Sequence, residues 1–267
     1  MTNRELRDLI IDYSRRYVPQ LVKPAVTWND VRHKIQGAVN RYTAILRALE
    51  RLAPRPGPAL DVGVGHGIPL LLYARVLPDL NWHGVDVPWA TFEHPDLKPF
   101  APKIRGCDLE KDPIPFDANF FHAAVLSEVA EHIPPPAFTH ALEQIHRVLA
   151  PGGVLIVTSP NLVALMNRLI FLVGRSPFHL PIRSPNYGGG YPHIHLYSAR
   201  EVAALGRKLG YGVAAVEHHT YFSYALIQNN RWRNAVVRIY LVAETLLGAL
   251  IPSLRDGWLV ALRKPKP

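Results

Sequence analysis

Cysteine occurs once in these 267 residues, at Cys107, and methionine twice. A lone cysteine excludes a disulfide framework within the chain and a zinc site built on cysteines. It leads us to expect a reducing, cytoplasmic setting. No apolar run reaches the roughly 18 residues of a membrane span. The residues after Met1 form no apolar core of a leader, so no secretory signal is expected. No internal repeat is visible. Acidic residues are also scarce: 21 Asp and Glu stand against 30 Lys and Arg, a net charge of +9.

That excess is uneven. Residues 1–56 hold 11 basic against 5 acidic side chains, residues 231–267 hold 7 against 2, and residues 57–230 hold 12 against 14. The ends carry the positive field and the middle does not. Such a rim attracts an anionic acceptor, a membrane surface or nucleic acid, and solubility alone accounts for it equally well. With 48% hydrophobic residues the chain can bury one large core.

The informative stretch is Ala59-Leu60-Asp61-Val62-Gly63-Val64-Gly65-His66-Gly67. A short apolar strand passes an acid, breaks into three alternate glycines, and runs into a helical segment, Ile68 to Val76. Glycines here allow a tight turn and let a ligand approach the backbone. A dinucleotide fingerprint spaces its glycines G-x-G-x-x-G, whereas here they stand at 63, 65 and 67. An acid at the strand end suits an ammonium-bearing ligand better than a diphosphate.

Upstream, periodicity predicts a helix over 1–27 ending near Pro19 and Pro24, and a second over Val31 to Leu52. Pro54, Pro56 and Pro58 then lead into the first strand. We expect residues 1–56 to form a helical cap and 57–267 the main domain, with insertions at about 162–197 and 219–256. Further strands are expected over 81–87, ending at Asp86–Val87; over 103–109, containing Cys107, Asp108 and Leu109; and over 117–126, followed by Ser127 and Glu128. Three more follow over 154–158, 213–217 and 258–263. Pro134 to Pro136 start a helix running to Leu149. Ser198 and Glu201 make a capping box for another ending at Gly210. Strands alternating with helices predict an α/β fold with a doubly wound sheet. Residues 174–195, with Gly188 to Gly190, read as a lid. Ala235 to Ile251 is strongly apolar and is expected to pair with Leu162 to Val173 and shape the acceptor side. A membrane-surface role for it is the sharper alternative.

The glycine loop, the acid at Asp86, Asp108-Leu109, Glu128-x-x-Glu131-His132 and Leu149-x-Pro151-Gly152-Gly153 occur in that order. Together they resemble the class I S-adenosylmethionine (SAM) dependent methyltransferases, from about Val39 to Asn161. The resemblance implies a Rossmann-like, seven-stranded sheet in the order 3-2-1-4-5-7-6, with the seventh strand antiparallel. It implies SAM as cofactor, held by Asp61, Gly63, Gly65, Gly67, Asp86, Val87, Cys107, Asp108, Leu109 and Ser127. Asp86 would take the ribose hydroxyls and Asp108 the adenine amino group. The N-terminal helices would cap the cleft. Arg41 could reach a ligand carboxylate from there, although a solvated arginine is the default expectation.

For catalysis we expect His132 as the base, since histidine titrates near neutrality. Glu128 would lie near the sulfonium, and Ser159 and Asn161 on the acceptor side. That the Glu-x-x-Glu-His run only shapes the cofactor pocket, as in much of the resembling family, weighs equally. His179, His193 and His195 lie in the lid. No metal is assigned. A set of Glu128, Glu131, His132 and His195 or His193 resembles the metal sites of small-RNA 2′-O-methyltransferases and quinone-biosynthesis O-methyltransferases. The run after strand four is Ser127-Glu128-Val129-Ala130, not the N/D-P-P-Y/F tetrad, which weakens an amine target. The reading is O-methylation of a small-molecule, saccharide or lipid-linked acceptor, looking similar to methyltransferases of surface-glycan and natural-product pathways, with peripheral membrane contact through the basic, apolar C-terminal segment. An RNA 2′-O-methyltransferase and a non-catalytic SAM-binding subunit are the alternatives.

Overall fold

A computed structural model describes residues 1–17, 35–87, 95–177, 193–221 and 231–267. Its centre is one sheet of seven strands: β1 (Gly57–Val62), β2 (Leu80–Asp86), β3 (Ile104–Gly106), β4 (Phe121–Ser127), β5 (Leu149–Pro160), β6 (Gly212–His219) and β7 (Gly257–Arg263). Their order is β3-β2-β1-β4-β5-β7-β6. β1 to β5 are mutually parallel, and β7 runs antiparallel to both β5 and β6. This order and the antiparallel seventh strand are those that the resemblance implies.

The side-chain period of two sorts each strand between two cores. Leu60, Ala124, Leu126, Leu155, Val157, Trp258 and Val260 face one layer, with Phe138 and Ile145 of α4 (Pro135–Val148) and Val202 of α6 (Ala199–Lys208). Ala59, Ala123, Val125, Val154, Ile156 and Leu259 face the other. That layer holds Leu6 and Ile10 of α1 (Asn3–Tyr17), Ile45 and Leu49 of α2 (Ile35–Leu52) and Leu70 of α3 (Ile68–Val76). The N-terminal helices therefore belong to the main core. Asp61 shares its face with Ala59, so it is turned toward α2.

Several boundaries move for local reasons. The first helix stops at Tyr17, and Pro19, Pro24 and residues 31–34 lie outside the described residues. β3 is only three residues long: after a last ladder bond from the Cys107 amide to the Asp86 carbonyl at 2.7 Å, the chain turns through Asp108–Asp112, where the Lys111 and Asp112 amides donate to the Asp108 carbonyl. β4 begins at Phe121, since Asn119 is left-handed (φ 61°) and its amide donates to Arg147. β5 is longer than expected, carrying the Pro151–Gly153 turn as an irregularity within the strand.

Beyond the sheet, α5 (Leu165–Leu172) follows β5, and α7 (Arg231–Leu250) precedes β7. α7 leads directly into the Pro252–Leu254 turn that precedes β7. Most of the expected lid, including His179 and Gly188 to Gly190, lies outside the described residues.

The Ser198–Glu201 capping box forms: Ser198 Oγ accepts from the Glu201 amide at 3.3 Å, and Glu201 Oε2 accepts from the Ser198 amide at 2.7 Å. Replacing Ser198 by alanine is expected to cost about 1 kcal/mol of stability. A lower urea midpoint with an unchanged slope, and cofactor binding unchanged, is the expected result.

Candidate functional site

The parallel strands point their carboxyl ends to one edge of the sheet. Its order reverses between β1 and β4, where open α/β sheets receive their ligands. The glycine loop leaves β1 at that point. Gly63, Gly65 and Gly67 all have positive φ, at 80°, 55° and 78°, so side chains there would be strained. A Cβ on Gly63 would run into Val129, and one on Gly67 would lie 2.6 Å from Leu97. A Cβ on Gly65 would meet nothing within 4 Å. Two of the glycines are thus required by packing, and the middle one faces open space.

Asp86, at the end of β2, ties down this loop. Its Oδ2 accepts from the Gly65 amide at 2.5 Å and its Oδ1 from the Val87 amide at 2.7 Å. Asp61 is only 3% exposed and its Oδ2 has no hydrogen-bond partner. Burial, with the Asp86 charge second, pushes its carboxyl well above the usual carboxylate range. A buried carboxyl with one oxygen left without a partner is a costly group, and a cationic ligand beside it would favour its ionised form. Together with the open space at Gly65, it fits a cofactor bearing an ammonium and a ribose.

Asp108 is half-buried beside the end of β2. Its Oδ2 lies 3.0 Å from Lys111 Nζ and its Oδ1 accepts from the Glu110 amide at 3.0 Å, so it caps its own turn. The Lys111 ammonium holds its carboxyl below the usual range. Cys107 and Leu109 are buried on either side. Burial pushes the Cys107 thiol up to about 11, which keeps it neutral.

On the other side of β1, the end of β4 carries a hydrogen-bonded chain. Ser127 Oγ lies 2.9 Å from Thr158 Oγ1, and Thr158 Oγ1 donates to Glu128 Oε1 at 3.0 Å. Thr158 has one proton, so Ser127 donates to it. Glu128 is left-handed (φ 57°), a strained state for a residue with a Cβ. Its Oε2 meets Arg41 Nη1 of α2 at 3.4 Å. Arg41 also donates to the Tyr42 hydroxyl at 3.3 Å. The expectation of a solvated Arg41 is therefore corrected: it sits on the buried side of α2, at helical spacing from Gly37 and Ile45. That spacing was readable in the sequence. Burial raises the Glu128 carboxyl, and Arg41 opposes the shift.

Glu131 and His132 follow in a short turn, Ala130–His132. Glu131 is fully buried. Ser159 Oγ donates to its Oε2 at 3.0 Å, while its Oε1 has no hydrogen-bond partner and lies 3.9 Å from His132 Nε2. Burial and the nearby Glu128 raise its carboxyl well above the usual range. Its carbonyl accepts from the Ile194 amide at 2.8 Å, which brings the end of the lid segment to it. The rings of His132 and His193 meet at 4.9 Å. One donor atom each from Glu131, His132 and His193 fall within 4.8 Å of one another. Glu128 and His195 are not in that cluster.

Asn161 does not face an acceptor. Its side-chain amide donates to the carbonyls of Ser253 and Arg255 at 2.8 and 2.7 Å, so it fastens the ends of β5 and β7. Thr158 was missed in the sequence because it reads as an ordinary strand residue.

Among known proteins, a family model described as a methyltransferase domain matches residues 31–216. No curated protein sequence matches. Solved structures share the fold at low identity. One is that of the Haloferax volcanii Trm112 methyltransferase activator in complex with its putative methyltransferase: 17% identity, 89% of this chain and 96% of that one, TM-score 0.53. Another is the [4+2]-cyclase SpnF: 19% identity, 98% and 95%, TM-score 0.54. A third is Burkholderia thailandensis 1,6-didemethyltoxoflavin-N1-methyltransferase, solved with S-adenosylhomocysteine: 15% identity, 100% and 92%, TM-score 0.52. With the family model covering most of its length, the chain belongs to the methyltransferase-domain family and is a class I SAM-dependent methyltransferase.

Proposed function

We propose that this enzyme methylates an oxygen of a small-molecule, saccharide or lipid-linked acceptor, with His132 receiving the acceptor proton. The observation that carries this reading is the meeting of Glu131, His132 and His193 beside the end of β4. SAM supplies a methyl group already activated on a sulfonium, so the protein's task is alignment and proton transfer. In this reading Asp61 faces the cofactor ammonium and Asp86 accepts from the ribose hydroxyls. Gly63, Gly65 and Gly67 leave room for the approach, and Val87, Cys107, Asp108, Leu109 and Ser127 border the rest. Arg41 is the cation for the cofactor carboxylate, and Glu128 balances Arg41 and adds negative potential near the sulfonium. Glu131 supports the positive charge that His132 gains with the proton.

A second reading is favoured by the same cluster. A carboxylate and two imidazoles with open positions suit a divalent cation that would hold a vicinal diol, as an RNA 3′ end or a catechol presents. Both readings predict an oxygen acceptor. The first experiment is methyl transfer from labelled SAM to phenolic, saccharide, polyprenyl-linked and RNA hydroxyl acceptors. Methylation of amines or carbons alone would overturn the reading.

Asp86→Ala should weaken SAM binding by about 1–3 kcal/mol, through loss of charge-assisted hydrogen bonds. Calorimetric titration measures it, and an unchanged affinity would remove Asp86 from the cofactor site. Asp61→Asn tests the buried carboxylate by its pH dependence. A carboxyl whose folded pKa is raised loses stability as pH climbs from its unfolded value of about 4 toward the raised one. The ligand-free variant should therefore gain melting temperature over wild type as pH rises from acidic to neutral, while binding S-adenosylhomocysteine more weakly. Parallel melting curves for the two proteins would count against an ionising Asp61. His132→Ala should lower kcat by about 10²–10⁴ with little change in SAM affinity. Full turnover in EDTA would leave the proton-transfer reading, and loss restored by Mg²⁺ or Mn²⁺ would leave the cation reading.

A further inference from the structure

The helix α7 is built inside out. Its inward side carries Glu244, fully buried, and Gly248, packed against Arg255. Its outward side carries Val236, Ile239, Val242, Leu246 and Leu250 at three- and four-residue spacing, with Ile239 71% and Leu250 82% exposed. A helix of a globular core shows the reverse. α5 also exposes apolar side chains, at Leu169, Phe171 and Leu172, the last 80% exposed. Exposed apolar surface of this extent marks a docking face.

The two helices meet the sheet at the same place. α5 follows the end of β5 and α7 precedes the start of β7, and Asn161 joins those ends through Ser253 and Arg255. This is the edge at which Ser159 holds Glu131, so the apolar face and the proposed acceptor pocket share one end of the molecule.

Charge selects the occupant. From Asn161 to Arg200 the sequence has no Asp or Glu, and α7 has only Glu244, whose Oε1 is turned inward onto the Asp256 amide at 2.9 Å. The exposed charges beside the apolar residues are arginines, Arg168 and Arg175 at α5 and Arg238 on α7, and the sequence adds Arg231 and Arg233. A second copy would bring a like-charged rim against this one. An apolar face rimmed only by cations matches an anionic lipid surface, into which the side chains insert while the arginines remain among the headgroups.

We propose that α5 and α7 dock the enzyme on the surface of an anionic bilayer, with the acceptor end of the sheet toward the headgroups. This deepens the lipid-linked branch of the acceptor reading and rests on it only for the meaning of the surface. Vesicle binding needs no turnover, so the two can fail separately.

The test is co-sedimentation of the full chain with vesicles of phosphatidylcholine alone and of phosphatidylcholine with phosphatidylglycerol. The expected result is binding to the second that falls about tenfold in Ile239→Asp/Leu246→Asp and also in Arg175→Glu/Arg238→Glu. SAM affinity measured in each variant reports that the fold persists. Binding to neither vesicle would overturn the proposal, as would undiminished binding by the folded aspartate variant. A wild-type dimer that the aspartate variant splits into monomers would assign the face to a second copy instead.

Discussion

Carboxylates buried at the ends of β1 and β4 impose the constraint on which the site depends. Asp61 and Glu131 are almost wholly enclosed, and Glu128 is nearly so. Among the described residues, Arg41 is the one guanidinium or ammonium that pairs with any of them. Burying several acids around one cation is unfavourable, since each ionised carboxylate loses more hydration than a single shared partner restores. The ligand-free site therefore holds its carboxyls toward the neutral form, as the raised Asp61, Glu128 and Glu131 show. SAM brings an ammonium and a sulfonium. A cationic ligand beside these groups would favour their ionised forms, so its binding would be coupled to proton release.

The strain at Glu128 belongs to the same account. A strand that continued its alternation past Ser127 would send the next side chain toward the layer of α4. The left-handed backbone breaks that alternation, and the carboxylate instead meets Arg41 of α2 across the cleft. Thr158 holds it there, and Ser127 holds Thr158. Removing Arg41 would leave Glu128 held by Thr158 but without its counter-charge. α2 is thus more than a cap: it supplies the counter-charge to the carboxylate at the end of β4.

Much of this was legible in the sequence because it is local. Three left-handed glycines, an acid at a strand end and a capping box each write their conformation into a few consecutive residues. Short apolar runs ending at acids, glycine or proline placed the strands for the same reason. What sequence hid is long-range. Arg41 and Glu128 are 87 positions apart, and nothing near either residue announces the other. Asn161 looked like an acceptor contact because it ends a strand at the right edge, yet its side chain is spent on two carbonyls more than ninety residues away. Asp108 was read as a base contact, but its nearest donors, Glu110 and Lys111, show a local turn cap competing for the same oxygens.

The inverted helix follows from a similar long-range demand. The junction at β5 and β7 needs acceptors on its inner side: Asp256 receives the Tyr221 amide at 2.6 Å and gives its own amide to Glu244. Those groups require a carboxylate from α7, which fixes the polar side of that helix inward. With its polar side committed, the remaining face had to be outward, and in a helix meant only for water it would carry charge. Instead it carries valine, isoleucine and leucine, while the only acid is the one turned in. Internal packing therefore explains why Glu244 points inward but not why the outer face is apolar. Among the described residues that outer face is exposed, and the proposed docking surface would give it a use.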